Sequence, residues 1–443
     1  MNDAPVQTTN YVADPGRIAD LARRIREGEL SPADLVRRCL ERMKAVEGVL
    51  QAWCDVMETD ALAEAERLGE EAQRGQIRGP LHGIPVGVKD IIDVATRQTR
   101  AGSLSRADVA PSSTDAEVVA ASRAAGAVIL GKTHTTEFAY FDPGPTRNPH
   151  NPDHTPGGSS SGSGAAVAAG MVPLALGTQT AGSLNRPAAY CGIAAFKPST
   201  GLLSTFGVVP LAASFDTVGP FGYTVEDAVT YFEALCPGHA RFRPENGAGQ
   251  SGYRVVVLED PILAEADAEV LAAVDRVVQR LTDAGHGVRR APSPAPFKKL
   301  AANHKTVMEY EIGRAQKVLL DEPANLIGER LRATIMDGGR ILDVAYLDAR
   351  NALAAAQTRF WSAFAGVDAV VFPATPAPAP RGIHATGDPG YILPWTVLGG
   401  PVVTLPAGAA RSGLPVAVLL AGAPGSDLAF GRIACRLAAA AEG

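Results

Sequence analysis

The sequence predicts a single large α/β domain over residues 1–443, with one twisted β-sheet covered by helices on both faces. Three observations carry that expectation. Short apolar runs alternate with helical patterns from residue 80 onward. Glycine-rich turns separate these runs. No internal repeat and no linker long enough to be disordered divides the chain.

The first 75 residues read as helices. Ser31 and Pro32 stand as N-cap and first helical residue, and Leu35, Val36, Cys39, Leu40, Met43 and Val46 then recur at helical spacing. A second helix is expected at about 59–73, apolar along Leu62, Ala65 and Leu68. Between 80 and 220 the texture changes. Thr114 and Glu117 have the spacing of a capping box for a helix that ends near Gly126. Residues 127–130 read as a buried strand, 163–171 as a short helix of small residues and 172–176 as another buried strand. Further along, 254–258 reads as a strand, 265–284 as a helix and about 299–364 as a long helical stretch. Residues 368–372 and 402–406 read as two more central strands, and the proline run at 373–382 as extended loop.

Composition narrows the function classes. Hydrophobic residues make up 46% and charged residues 20%, so a large core is within reach. A net charge of −6 and only 6% aromatic residues point away from nucleic acid and from an anionic membrane surface as partners. No run reaches the roughly 18 apolar residues of a membrane span. Cys39, Cys54, Cys191, Cys236 and Cys435 are scattered without a CxxC pair, so neither a disulfide framework nor a thiolate zinc site is expected. No basic-then-apolar leader opens the chain, and a cytoplasmic location is the expectation. No cluster of histidines or carboxylates suggests a metal, and no cofactor is expected.

Four motifs remain. GAVILGKT (126–133) matches the letters of a phosphate-binding P-loop, but a helix precedes it and its middle reads as buried strand. N–H groups engaged in a sheet cannot also cradle a phosphate, so no nucleotide site is expected there. GGSSSGSG (157–164) leads directly into helix and strand, which favours close backbone approach over a flexible linker. GTQTAGSLNRP (177–187) begins at the carboxyl end of an apolar strand, where α/β sheets bind ligands. The amides of its small residues Thr180, Ala181 and Gly182 could converge on a developing oxyanion beside Ser183. In LHGIPVGVKD (81–90), the alternation of Ile84, Val86 and Val88 buries the surroundings of Lys89, and desolvation makes a lysine a better base.

Together these segments resemble the amidase signature family. The corresponding stretches are GIPVGVKD, GGSSSG and GTQTAGS, with further likeness in AGAVILGKTHTTEFA, RPAAYCGIAAFKPSTG, SFDTVGPFGYTVED and GLPVAVLL. The resemblance implies a mixed sheet flanked by helices and a Ser–Ser–Lys triad. In that triad Ser183 is the nucleophile, Ser159 (after a cis peptide bond from Gly158) the relay and Lys89 the base. The spacing of 24 residues between the two serines, as in family members, selects Ser159 over Ser160 or Ser161. It also implies that the amides of residues 180–183 form the oxyanion hole, with Gly158, Ser160, Gln179, Asn185 and Arg186 supporting the loops.

Some positions depart from the family pattern. Gln179 stands where aspartate is usual and Asn185 where arginine is usual, and a buried neutral amide pair in place of an ion pair is the expectation. Ala181 replaces a glycine, and Arg186 is expected to take over part of the missing arginine's role. His82, His134, His150 and His154 are expected to be structural or rim residues. Apolar material for a pocket lies in the helical segment of about 295–365 (Met308, Tyr310, Leu326, Ile327, Ile335, Met336, Leu342) and at Trp395, most of it expected in the core. The resemblance then implies an amidase or carbamate (urethane) hydrolase acting on a small molecule, as monomer or homodimer. The glutaminase subunit of a tRNA-dependent amidotransferase, which works with a partner chain, and a non-catalytic scaffold are the alternatives.

Overall fold

In a computed structural model, described for residues 10–236 and 252–442, eleven strands among the described residues form one mixed sheet. The strands are β1 (Trp53–Val56), β2 (Pro85–Lys89), β3 (Val128–Thr133), β4 (Leu174–Gln179), β5 (Ala194–Lys197) and β6 (Thr217–Gly222). They continue with β7 (Arg254–Glu259), β8 (Gly287–Pro292), β9 (Ala369–Pro373), β10 (Val402–Ala409) and β11 (Pro415–Ala421). Their spatial order is β1-β3-β2-β4-β6-β5-β10-β11-β9-β7-β8. The strand β2 runs parallel to both β3 and β4, so the carboxyl ends of β2 and β4 open on the same edge.

The strands read from apolar runs are present, and their burial explains why they were legible. Ile129 packs with Leu174 and Leu176 in one core, while Val128 and Leu130 join Ala175 in the other. That two-residue period sends alternate side chains to opposite faces of the sheet, each closed by helices. The helices Pro32–Leu50, Glu58–Gln73 and Ser161–Ala168 supply the second core. The last of these, SGSGAAVA, is buried along its whole length. Its Gly162 is required there, because an added Cβ would lie 2.2 Å from the Ala52 carbonyl oxygen.

Three expectations need correction. The helix Glu117–Ala124 has Ala116 as its N-cap with no side-chain bond, so Thr114 and Glu117 form no capping box. Asp115 occupies that end of the helix instead, accepting from Ala95 N and from Arg123. The helical stretch 299–364 is broken into Phe297–Ala315, Glu329–Gly338 and Asp343–Ala363, with 3₁₀ turns before the second. The strands β1, β5, β6, β8 and β11 were not read from pattern; β1 and β5 are four residues long, and β8 is largely exposed. The expectation of no long linker falls in part on residues 237–251, outside the described residues.

The GKT segment lies inside β3, as its strand reading required. Gly131 faces β1 so closely that an added Cβ would sit 2.2 Å from Asp55 O. Lys132 is buried and pairs with Asp90 at 2.9 Å. No helix among the described residues is long and apolar enough to cross a membrane.

Candidate active site

The end of β2 delivers Lys89, and the end of β4 delivers Thr178, Gln179 and the turn that carries Ser183. Lys89 is completely buried. Its Nζ lies 2.6 Å from Ser159 Oγ and 2.7 Å from Thr178 Oγ1. Burial pushes the amine well below the ordinary lysine range, opposed in part by the field of Asp216. In its unprotonated form such an amine is a base beside the weakly acidic serine hydroxyl.

Ser159 follows a cis peptide bond from Gly158 and precedes the helix Ser161–Ala168. Ser160 ties this loop to the turn that carries Ser183. Its Oγ accepts from Thr178 N and donates to Thr178 O, both at 3.2 Å, and its N–H donates to Ser183 O at 3.3 Å. Ser183 is 7% exposed. Its hydroxyl has no hydrogen-bond partner among the described residues, and no bond joins it to the Ser159 hydroxyl.

The turn from 180 to 184 is held from several sides. Gln179 Oε1 accepts the N–H groups of Leu184 (2.9 Å) and Asn185 (3.0 Å), and its Nε2 donates to Thr396 Oγ1 (2.9 Å). Thr180 Oγ1 donates to Asp216, whose other oxygen accepts Leu211 N and Ala212 N. The N–H groups of Ala181, Gly182 and Ser183 meet no acceptor among the described residues. Unpaired donors in a turn beside a serine are able to receive an oxyanion.

The predicted amide pair is a further correction. Asn185 Nδ2 donates to Thr404 Oγ1, so the two side-chain amides do not bond to each other. Gln179 reaches only the backbone of Asn185, because its longer chain curls back over the start of the helix Asn185–Cys191. Arg186 is buried, and burial lowers it to about 10. It donates to Gly158 O, Thr386 Oγ1 and Gly387 O, which fastens the loop before Ser159 to the segment around 386.

Above Ser183 lies a small, partly enclosed cleft. Tyr140, Phe141, Leu211 and Met308 give it apolar walls, Arg186 its charged group, and Thr180 and Ala181 its floor beside the serine. Of the apolar residues singled out in the helical segment, Met308 reaches this cleft, whereas Leu342 and Met336 face solvent. Trp395 is buried among Phe297, Phe360 and Phe372. A separate polar cleft is lined by Cys54, Asp90, Arg97 and Arg100 and does not include Ser183.

The four histidines near the motifs do not line the cleft. His82 and His150 bond to the backbone oxygens of Leu68 and Cys191, His154 to that of Ala379, and burial lowers His134. Sequence reasoning missed Thr178, Asp216, His304 and Thr396, all of which touch the site. Thr178 and Asp216 stand within family-like motifs, but nothing in a single sequence marks His304 or Thr396.

Asp216 carries a testable consequence. Burial raises it from 3.8 to about 6. A carboxyl whose folded pKa lies above its unfolded value makes the native state bind more protons between those two values. Stability from this group therefore falls as pH rises from 3.8 to about 6. Asp216→Asn is expected to flatten that part of the pH profile of urea unfolding. It should also lower turnover, since an amide has one accepting oxygen: with that oxygen on Leu211 N and Ala212 N, its NH₂ faces Thr180 Oγ1 and cannot accept the bond that the carboxylate takes.

A family model described as Amidase matches residues 34–430. The A chain of the glutamyl-tRNA(Gln) amidotransferase of Symbiobacterium thermophilum is 34% identical, covering 94% of this chain and 95% of that protein. A crystal structure of an amidase superposes with a TM-score of 0.84 at 32% identity, covering 96% of this chain and 98% of that one. A peptide amidase in complex with the competitive inhibitor chymostatin gives a TM-score of 0.80 at 30% identity, covering 96% of each chain.

Proposed function

The chain belongs to the amidase family, and on that premise we propose that it hydrolyses the C–N bond of a small amide or carbamate through an acyl-enzyme on Ser183. The observation that carries this reading is the buried Lys89 amine at 2.6 Å from Ser159 Oγ, on a loop bonded through Ser160 to Ser183. Neutral Lys89 takes a proton from Ser159 as Ser159 takes one from Ser183. Ser183 Oγ attacks the carbonyl carbon, and the N–H groups of 180–183 hold the charge that develops on its oxygen. The C–N bond then breaks while the proton returns through Ser159 to the leaving amine. Water, deprotonated along the same route, cleaves the ester and frees Ser183. An amide leaves a carboxylic acid; a carbamate leaves an alkoxycarbonyl-enzyme that water converts to an alcohol and carbon dioxide.

The apolar walls at Tyr140, Phe141, Leu211 and Met308 favour substrates with an aryl or alkyl group next to the carbonyl or the nitrogen. A glutaminase role within a larger assembly is the second reading, supported by the name of the relative at 34% identity. Primary amides, anilides, ureas, aryl carbamates and L-glutamine assayed side by side separate the two. An anilide or aryl carbamate is expected to exceed glutamine in kcat/KM by at least about tenfold, because glutamine has no apolar group to cover those walls. Preferential glutamine hydrolysis, or copurification of a stoichiometric partner that raises it, would replace the first reading with the second.

A further inference from the structure

Resting on the reading of Ser183 as nucleophile, we propose that His304 and Thr396 are positioning residues of the oxyanion hole: by bonding the carbonyls of Thr180 and Ala181 they aim the next two N–H groups. His304 Nε2 lies 2.8 Å from Thr180 O, and Thr396 Oγ1 lies 2.7 Å from Ala181 O. In a trans peptide the N–H of the following residue points opposite to the carbonyl. Fixing those two oxygens against core groups therefore turns the Ala181 and Gly182 N–H groups away from the core. Neither N–H has another acceptor among the described residues.

The protons in this arrangement are determined by its partners. A carbonyl only accepts, so His304 Nε2 carries the hydrogen and the unpartnered Nδ1 is bare. The ring is buried against Phe215, and burial lowers it to about 4, so it stays a neutral donor at working pH. Gln179 Oε1 receives two backbone N–H groups, which fixes its Nε2 toward Thr396. The one hydroxyl hydrogen of Thr396 is then left for Ala181 O. A single directed chain runs from the N–H groups of Leu184 and Asn185 through Gln179 and Thr396 back to Ala181, closing over the turn that holds Ser183.

Hydrolysis of 4-nitrophenyl acetate and inhibition by phenylboronic acid, whose serine adduct places an oxygen in the hole, test this. Thr396→Val, which keeps shape and loses the donor, is expected to lower kcat by about 10- to 100-fold, as misdirected groups do. KM should stay within about twofold, the signature of an interaction made in the transition state. The inhibition constant of phenylboronic acid should rise by the same factor as kcat falls. Thr396→Ser should recover most of the rate. His304→Leu should behave as Thr396→Val, and His304→Gln, which retains an N–H donor, should recover part of the loss. The histidine pair decides alone should Thr396→Val fail to fold. Unchanged kcat in Thr396→Val and His304→Leu, or a fall in kcat with unchanged boronate affinity, overturns the proposal. Ser183→Ala, run in parallel, separates the two levels. If it is inactive while these variants are not, only the positioning role fails; if it remains active, the nucleophile assignment fails with it.

Discussion

Ser183→Ala is expected to lower turnover of the preferred substrate by on the order of 10⁴- to 10⁶-fold, leaving only what binding and the oxyanion donors supply. The size of the effect follows from the division of labour at the site. Without Oγ no acyl-enzyme forms, and Lys89 and Ser159 have no nucleophile to activate. The fold should tolerate the change, because the Ser183 hydroxyl makes no hydrogen bond among the described residues, and its backbone carbonyl still accepts Ser160 N–H. A circular dichroism melt within a few degrees of wild type would confirm that the loss is chemical. Ser160→Ala makes a useful contrast: it keeps the nucleophile and deletes the two bonds to Thr178, so a smaller loss is expected.

Lys89→Met is expected to have the next largest effect, about 10³-fold or more, near the upper range of a general base. The pH profile provides the sharper reading. Burial holds Lys89 well below the usual lysine range, and only the unprotonated amine can accept the Ser159 proton. The wild-type rate should therefore rise with pH as Lys89 loses its proton and level off above that point, well below 10.5. In Lys89→Met that limb should vanish, leaving a rate that follows hydroxide. An intact limb in the variant would place the base elsewhere. Stability gives an independent check. A lysine depressed by burial makes folding cost free energy while the unfolded chain holds the extra proton, so wild-type stability gains from this group as pH rises. Lys89→Met should remove that contribution to the slope in urea titrations at fixed temperature.

Much of this site was visible in the sequence because each motif sits where local patterning is strong. Ile84, Val86 and Val88 announced a strand ending at Lys89, and residues 172–176 announced the strand that ends beside Ser183. The loops between them resemble a known family, which supplied the proposed triad that apolar periodicity could not. The misses have a different origin. The hydrogen bonds of Thr396 and Asp216 span 215 and 36 residues to reach the turn, and a helix or loop residue gives no local sign of such a distant partner. His304 lies in a helix of weak amphipathic pattern, and its role depends on which way one ring turns. The error over Gln179 and Asn185 is of the same kind. Losing one charge of each sign suggested a pair, but an extra methylene let Gln179 bond backbone N–H groups instead. Strands β1 and β5 escaped because four residues are too few for a period to register.

A neutral side chain at 179 suits the turn that carries Ser183. A buried aspartate at 179 would need a compensating cation within reach, whereas the glutamine amide is satisfied by two N–H groups and one hydroxyl. Arg186 fastens the backbone oxygens of Gly158 and Gly387.

The central claim, that Ser183 forms the covalent intermediate, is tested most directly by locating the adduct of a serine-directed fluorophosphonate. Digestion and peptide mass mapping of the labelled protein should place the phosphonyl group on Ser183, with no labelling in Ser183→Ala. An adduct on Ser159, Ser160 or any other residue, or labelling that persists at the wild-type rate in Ser183→Ala, would contradict it.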